Sequence, residues 1–118
     1  MKISTLTELL DAKIVCGEDC IGKHVYSACG SDMMSDVLAY VKDQAVLLTG
    51  LVNTQVIRTV MMMDMVCVVF VRNKMPTEEM IELASDHGLV LITSEKRMYD
   101  ACGILYTAGL TGNGVKHE

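Results

Sequence analysis

One rhythm constrains this chain more than any other feature. Short apolar runs end in a small or polar turn and pass into amphipathic helical stretches, and the pattern occurs four times. The clearest repeats are 45–49 into 53–63, 66–71 into 77–87, and 89–93 into 95–108. Runs of about five apolar residues alternating with helical patterns of roughly 10–14 read as βαβ units around a parallel sheet. The fold class predicted is therefore α/β, a single three-layer domain with a mainly parallel sheet built from repeated β-α units. A parallel sheet directs attention to one edge, because ligands bind beyond the carboxyl ends of its strands.

The flanking segments complete the pattern. Thr5-x-x-Glu8 reads as a capping box opening a short helix with Leu6, Leu9 and Leu10 inward. Residues 13–16 and 24–29 are strand candidates, separated by a polar turn over 17–23. Ser31 or Asp32 caps the next helix, whose buried face is Met34, Val37, Leu38 and Val41. Lys42-Asp43-Gln44 is read as the turn into the first clear repeat. Thr77 and Ser94 are read as N-caps, and Gly88 and Gly109 stand where helices end. The domain is placed at 1–110 and a disordered tail at 111–118, which lacks an apolar pattern.

Composition removes several function classes. A chain of 118 residues suits one domain and is short for an independent enzyme. No apolar stretch approaches the roughly 18 residues a bilayer span needs, and acids rather than an apolar core follow the N-terminus. A soluble, cytoplasmic domain with no membrane partner is expected. Net charge is −5 without a Lys/Arg cluster, which argues against nucleic acid. There is one Phe and no Trp but 10 Met, a residue suited to adaptable contact surfaces.

The 5 cysteines are an odd count without an export signal, so a disulfide framework is not expected. Cys67 and Cys102 read as small buried hydrophobes. Cys16, Cys20, His24 and Cys29 are the remaining thiol–imidazole set, but C-x3-C-x3-H-x4-C lacks the tight C-x2-C knuckle of structural metal sites. No metal and no cofactor are predicted. Phosphate-binding-loop, dinucleotide and nucleophile-elbow motifs are all missing, and no His neighbours a plausible nucleophile and acid. The expectation is a chain that is not an enzyme.

A ligand site, if present, belongs on the strand-end loops. The best equipped is Thr49-Gly50-Leu51-Val52-Asn53-Thr54-Gln55, followed one turn later by Arg58-Thr59. Glycine lets the backbone approach a ligand, Asn53 can cap, and Gln55, Arg58 and Thr59 are expected on one helix face. Arg58 could grip a phosphate in a bidentate pair, with Arg72 and Asn73 adding to the same edge. The alternative is a plain N-cap at Asn53 and a solvated face at Gln55 and Arg58. On the last helix Met98, Ala101, Cys102 and Leu105 form the stripe predicted to pack on the sheet. Tyr99, Gly103 and Tyr106 fall beside it, where glycine permits close approach and tyrosine favours an interface. A two-fold homodimer is expected there.

Five separated segments carry a resemblance. They are Ser35-Asp36-Val37-Leu38-Ala39, Leu48-Thr49-Gly50-Leu51, Gln55-Val56-Ile57-Arg58-Thr59, Val69-Phe70-Val71-Arg72-Asn73-Lys74 and Ala101-Cys102-Gly103-Ile104-Leu105-Tyr106. Together they resemble the DRTGG domain family over about residues 1–110, in particular its small stand-alone members from anaerobic bacteria. The resemblance implies a dimerising α/β module that regulates or forms interfaces, as in domains beside phosphotransacetylases and between the CBS domains of some pyrophosphatases. It also implies a fold similar to the N-terminal domain of HPr kinase/phosphorylase, without its catalytic machinery. The chain departs from the signature the family is named for. Leu51-Val52 stands where Asp-Arg is expected and Val71-Arg72-Asn73 where Thr-Gly-Gly is expected, while Thr49-Gly50 is kept.

Two functions follow as expectations. One is a non-catalytic dimeric regulatory module sensing a phosphorylated or nucleotide ligand, a small anion. The other is a ligand-free scaffold or adaptor with a protein partner, in an anaerobic redox or kinase complex.

Overall fold

The computed structural model describes residues 1–40 and 44–112, with the Tyr40 side chain left aside. In chain order the elements are α1 (Ile3–Leu9), β1 (Lys13–Cys16), a 3-10 turn (Glu18–Cys20), β2 (Ser27–Gly30), α2 (Met34–Tyr40), β3 (Ala45–Thr49), α3 (Thr54–Met62), β4 (Cys67–Phe70), α4 (Glu78–Asp86), β5 (Val90–Thr93) and α5 (Met98–Thr107). They form a five-stranded sheet in the order β1-β5-β4-β3-β2. β2 to β5 run parallel, and β1 joins the far edge antiparallel to β5, with an irregularity between Ile14 and Cys16. The expected α/β, mainly parallel architecture is the one observed.

The three layers follow from alternation along the strands. Val46 and Leu48, Cys67 and Val69, and Val90 and Ile92 face one side, where α1 and α5 contribute Ile3, Leu6, Ala101 and Leu105. Leu47, Val68, Phe70 and Leu91 face the other, against Val37 of α2, Val56, Ile57 and Val60 of α3, and Met80 and Ala84 of α4. Every residue of β3, β4 and β5 is buried, as expected for strands covered on both faces. The turn leaving β1 also reflects close packing. A Cβ on Gly17 would come within 2.9 Å of the Leu89 carbonyl and the Val90 Cα, and Gly17 has φ +86°, so glycine is required there.

Several boundaries differ from the sequence reading. α1 starts at Ile3, before Thr5, and Lys2 supplies no side-chain cap. Its first amides instead donate to backbone: Ile3 N–H to Lys23 O (2.9 Å) and Ser4 N–H to Ile21 O (2.9 Å). That start puts Ile3, Leu6 and Leu10 inward and leaves Leu9 exposed. The second strand is shorter than 24–29: His24 forms only a bridge with Lys2, and the Val25 amide donates to the Met1 carbonyl. On α2, Met34 and Val37 are buried, but Leu38 is 45% exposed; Val41, Lys42 and Asp43 lie outside the described residues.

Ser94 does not cap the last helix. Its hydroxyl donates to the Leu10 carbonyl (2.8 Å) and accepts from the Lys96 amide (3.2 Å), so α5 begins only at Met98, after Arg97. Thr77 does cap α4, accepting from Met80 N–H at 3.2 Å, while Met80 Sδ receives the Thr77 amide. Gly88 and Gly109 take left-handed φ of +66° and +102° after α4 and α5. At the C-terminal end, the Ala28 amide donates to the Thr111 carbonyl, and 113–118 lie outside the described residues. Among the described residues no helix is long and apolar enough to cross a membrane.

Candidate functional site

The parallel strands end at Gly30, Thr49, Phe70 and Thr93, and their loops meet on one edge. Asp32 joins the first two. Its Oδ1 accepts from the Thr49 hydroxyl at 2.9 Å and from the Gly50 amide at 2.7 Å. Thr49 is fully buried, and its hydroxyl in turn accepts from the Leu51 amide at 3.1 Å. Asp32, read from the sequence as a helix cap, is a clamp between two strand-end loops. Ser31 Oγ accepts the Met33 amide at 2.9 Å and orders the same turn.

The loop after β4 is fixed against the loop after β5. Arg72 and Asn73 both adopt left-handed φ of +58°. Two consecutive non-glycine residues in that region cost free energy, and strain of this kind collects at functional sites. Here the backbone is held by hydrogen bonds from Arg72 N–H to Lys96 O (2.8 Å) and from Asn73 N–H to Ser94 O (2.7 Å). The Thr93 hydroxyl adds a bond to the Lys74 carbonyl at 2.8 Å.

This geometry directs the Arg72 side chain across the edge. Its guanidinium lies against Gly50, where a Cβ at residue 50 would overlap it. Among the described residues neither Arg72 nor Arg97 takes part in an ion pair or side-chain hydrogen bond. Both line a cleft of about 480 Å³ with Gly30, Ser31, Asp32, Val71, Met98 and Tyr99. The start of α5 also opens here, and Arg97 provides no side-chain cap for its first amides. Guanidiniums and an uncapped helix start are groups that attract anions, and here they lie side by side.

The sequence-predicted site residues divide into groups. Thr49 and Gly50 are at the edge, the first buried as a structural hydroxyl and the second carrying Arg72. Asn53 caps α3, accepting from Val56 N–H at 3.1 Å, and Thr54 is the first residue of that helix. Gln55 and Arg58 are exposed on α3, but Thr59 is 5% exposed and packs inward, so the three do not share a face. Arg58 is not among the residues lining the cleft, whereas Arg72 is. Asn73 is exposed on the strained turn beside it. Arg97 also lines the cleft, a placement the sequence hides because a helix over 95–108 would put it on a helical turn.

The fold itself has a solved counterpart. No known family model matches this sequence, and no curated protein matches it. Among solved structures, it is similar to the CBS and DRTGG domains of the regulatory region of Clostridium perfringens pyrophosphatase, complexed with the activator diadenosine tetraphosphate. The TM-score is 0.72 at 15% identity. What the two share is the fold. The match covers 99% of this chain and 50% of that one, so this chain spans about half of its length. That counterpart comes from a regulatory region.

The remaining reactive groups are dispersed. Cys16 and Cys29 lie on β1 and β2, which are opposite edges of the sheet, so the thiol–imidazole set of the sequence is divided. Among the described residues no three His, Cys, Asp or Glu side chains gather as a metal site would. Burial pushes the Cys67 thiol well above its ordinary range. Burial, and then the nearby Cys102 and Asp36, raise Cys29, and burial raises Cys102. These shifts keep the protons on, opposite to the direction that makes a cysteine nucleophilic. His87 caps the end of α4, its Nδ1 3.1 Å from the Leu83 carbonyl, and His24 stacks near Tyr26 with ring centroids 6.2 Å apart.

The candidate interface residues all face outward on α5. Tyr99 is 88% and Tyr106 66% exposed, and a Cβ at Gly103 would meet nothing within 4 Å. With Leu9 and Ile104, Tyr99 and Gly103 border a depression of about 720 Å³ between α1 and α5. That hollow is larger than the strand-end cleft, but its charged residues, Lys96 and Asp100, are of opposite sign. The strand-end cleft instead sets two arginines, Arg72 and Arg97, against one acid, Asp32.

Proposed function

We propose that this chain is a DRTGG-type regulatory domain of the cytoplasm, without catalytic activity, that senses a small phosphorylated or nucleotide ligand. The observation that carries this reading is the Arg72 guanidinium, unpaired and lying against Gly50, in a cleft shared with Arg97. The fold shared with a regulatory region crystallised with a nucleotide activator supports it. Self-association through α5 fits the exposed Tyr99, Gly103 and Tyr106. A glycine inside a helix costs up to about 1 kcal/mol against alanine, and nothing in this chain's own packing needs one at 103.

The test is thermal unfolding against phosphate, acetyl phosphate, adenine and guanine nucleotides, and diadenosine tetraphosphate. A ligand at about 100 times its Kd adds roughly 2.7 kcal/mol. A selective shift that is lost in Arg72→Ala and kept in Arg58→Ala is the expected result. No shift with any compound removes the sensing function. The scaffold reading would then take precedence, on the exposed Met33 (59%), Met62 (71%) and Met75 (55%). Its check is co-purification of a specific protein partner from the native host, weakened by Tyr99→Ala.

A further inference from the structure

The cleft carries more than positive charge. Resting on the reading that it takes an anionic ligand, we propose that this ligand is a nucleoside phosphate. Its phosphate would sit between Arg72 and Arg97 at the start of α5, its sugar hydroxyls at Asp32, and its base on Tyr99.

Three observations lead from anion to nucleotide. The first is the mixture of charges. Asp32 lines the same cleft as the two arginines, with Oδ1 committed to Thr49 and Gly50 and no bond to its second oxygen among the described residues. A carboxylate there disfavours a bare anion but accepts from a hydroxyl or amine. The ligand is therefore bipartite, anionic at one end and a hydrogen-bond donor a short distance away. Asp100, in the first turn of α5, is the other acid nearby, and it borders the separate hollow with Gly103 rather than this cleft.

The second is size. About 480 Å³ far exceeds what a phosphate ion fills and lies within the roughly 300–1,000 Å³ typical of small-molecule pockets. The third is the wall. Tyr99 and Met98 give that side an aromatic face and a polarizable thioether. An 88% exposed tyrosine beside a cationic cleft suits a base, which stacks through its π-face whatever its identity.

The experiment is isothermal titration of the purified chain with adenosine 5′-monophosphate, ribose 5-phosphate and inorganic phosphate, repeated on Tyr99→Leu and Arg97→Gln. Oligomeric state is measured alongside, because Tyr99 also borders the α5 face. Both substituted residues are exposed, so the fold should survive. The expected order places adenosine 5′-monophosphate about 5- to 150-fold tighter than ribose 5-phosphate, the range of one base–aromatic stack. Tyr99→Leu should erase that gap without moving ribose 5-phosphate, and Arg97→Gln should weaken all the phosphates together. Equal affinity for the three compounds, or a gap indifferent to Tyr99→Leu, overturns the nucleotide assignment and leaves an anion sensor. Absence of binding by all three, or binding indifferent to Arg97→Gln, overturns the use of this cleft altogether.

Discussion

Replacing Gly50 by alanine should push stability and binding in opposite directions. Gly50 has no left-handed φ, so alanine is tolerated by the backbone, and removing glycine from the unfolded chain stabilises by about 0.4–1 kcal/mol. The new methyl overlaps only the guanidinium of Arg72, the far end of a flexible side chain with no partner to lose among the described residues. Displacing it therefore costs little in the unliganded protein, and the melting temperature should rise by roughly 1–5 °C for a domain of this size. The liganded protein loses a charge-assisted contact of about 1.5–3 kcal/mol, which weakens adenosine 5′-monophosphate about ten- to a hundredfold. Thermal unfolding and titration on the same preparation read both effects. Wild-type affinity in Gly50→Ala would refute the role given to Arg72. A marked fall in melting temperature would show that Gly50 serves the fold and not the placement of that side chain.

Asp32→Ala removes the acceptor for a fully buried hydroxyl and a backbone amide, and should cost about 2 kcal/mol by chemical denaturation; wild-type stability would contradict the clamp. Gly103→Ala should stabilise α5 by up to about 1 kcal/mol in the isolated protomer while weakening self-association, measured by light scattering across concentration. An unchanged or tighter dimer would move the interface elsewhere. Cys67 keeps its proton in the folded state, whereas an unfolded thiol ionises from about pH 8.5. Its contribution is complete below that pH and is lost as pH rises, by about 1.4 kcal/mol per unit. The stability difference between wild type and Cys67→Ala should shrink accordingly between pH 8 and 10 in urea titrations, and a constant difference would count against this account.

The architecture was legible because burial on both faces leaves an uninterrupted apolar run, as at 45–49, and amphipathic helices must separate such runs. Ends were less legible, since distant backbone decides them. α1 begins where carbonyls of residues 21–23 receive its amides, and Ser94 is diverted from capping by the carbonyl of Leu10. The candidate site was only partly legible. Strand order alone points to the loops at Gly50 and Arg72, but a helix periodicity cannot show that Arg58 is not among the residues lining the cleft. Nor can it show that Arg97 precedes its helix, or that Asp32 bonds across 17 residues to Thr49.

The sheet also has an uneven history of assembly written into its order. β2, β3, β4 and β5 are neighbours in sequence as well as in space, so each pairing closes a short loop. β1 instead pairs with β5 from the opposite end of the chain, Lys13 against Thr93, and Ser94 reaches a carbonyl 84 residues away. Loop-closure entropy favours making that long return late, after the four parallel strands have docked their helices. The α1–β1 arm should accordingly be the last piece to fold on and the first to open. Its amides should exchange with solvent through partial unfolding, while those of β3 and β4 wait for the whole domain.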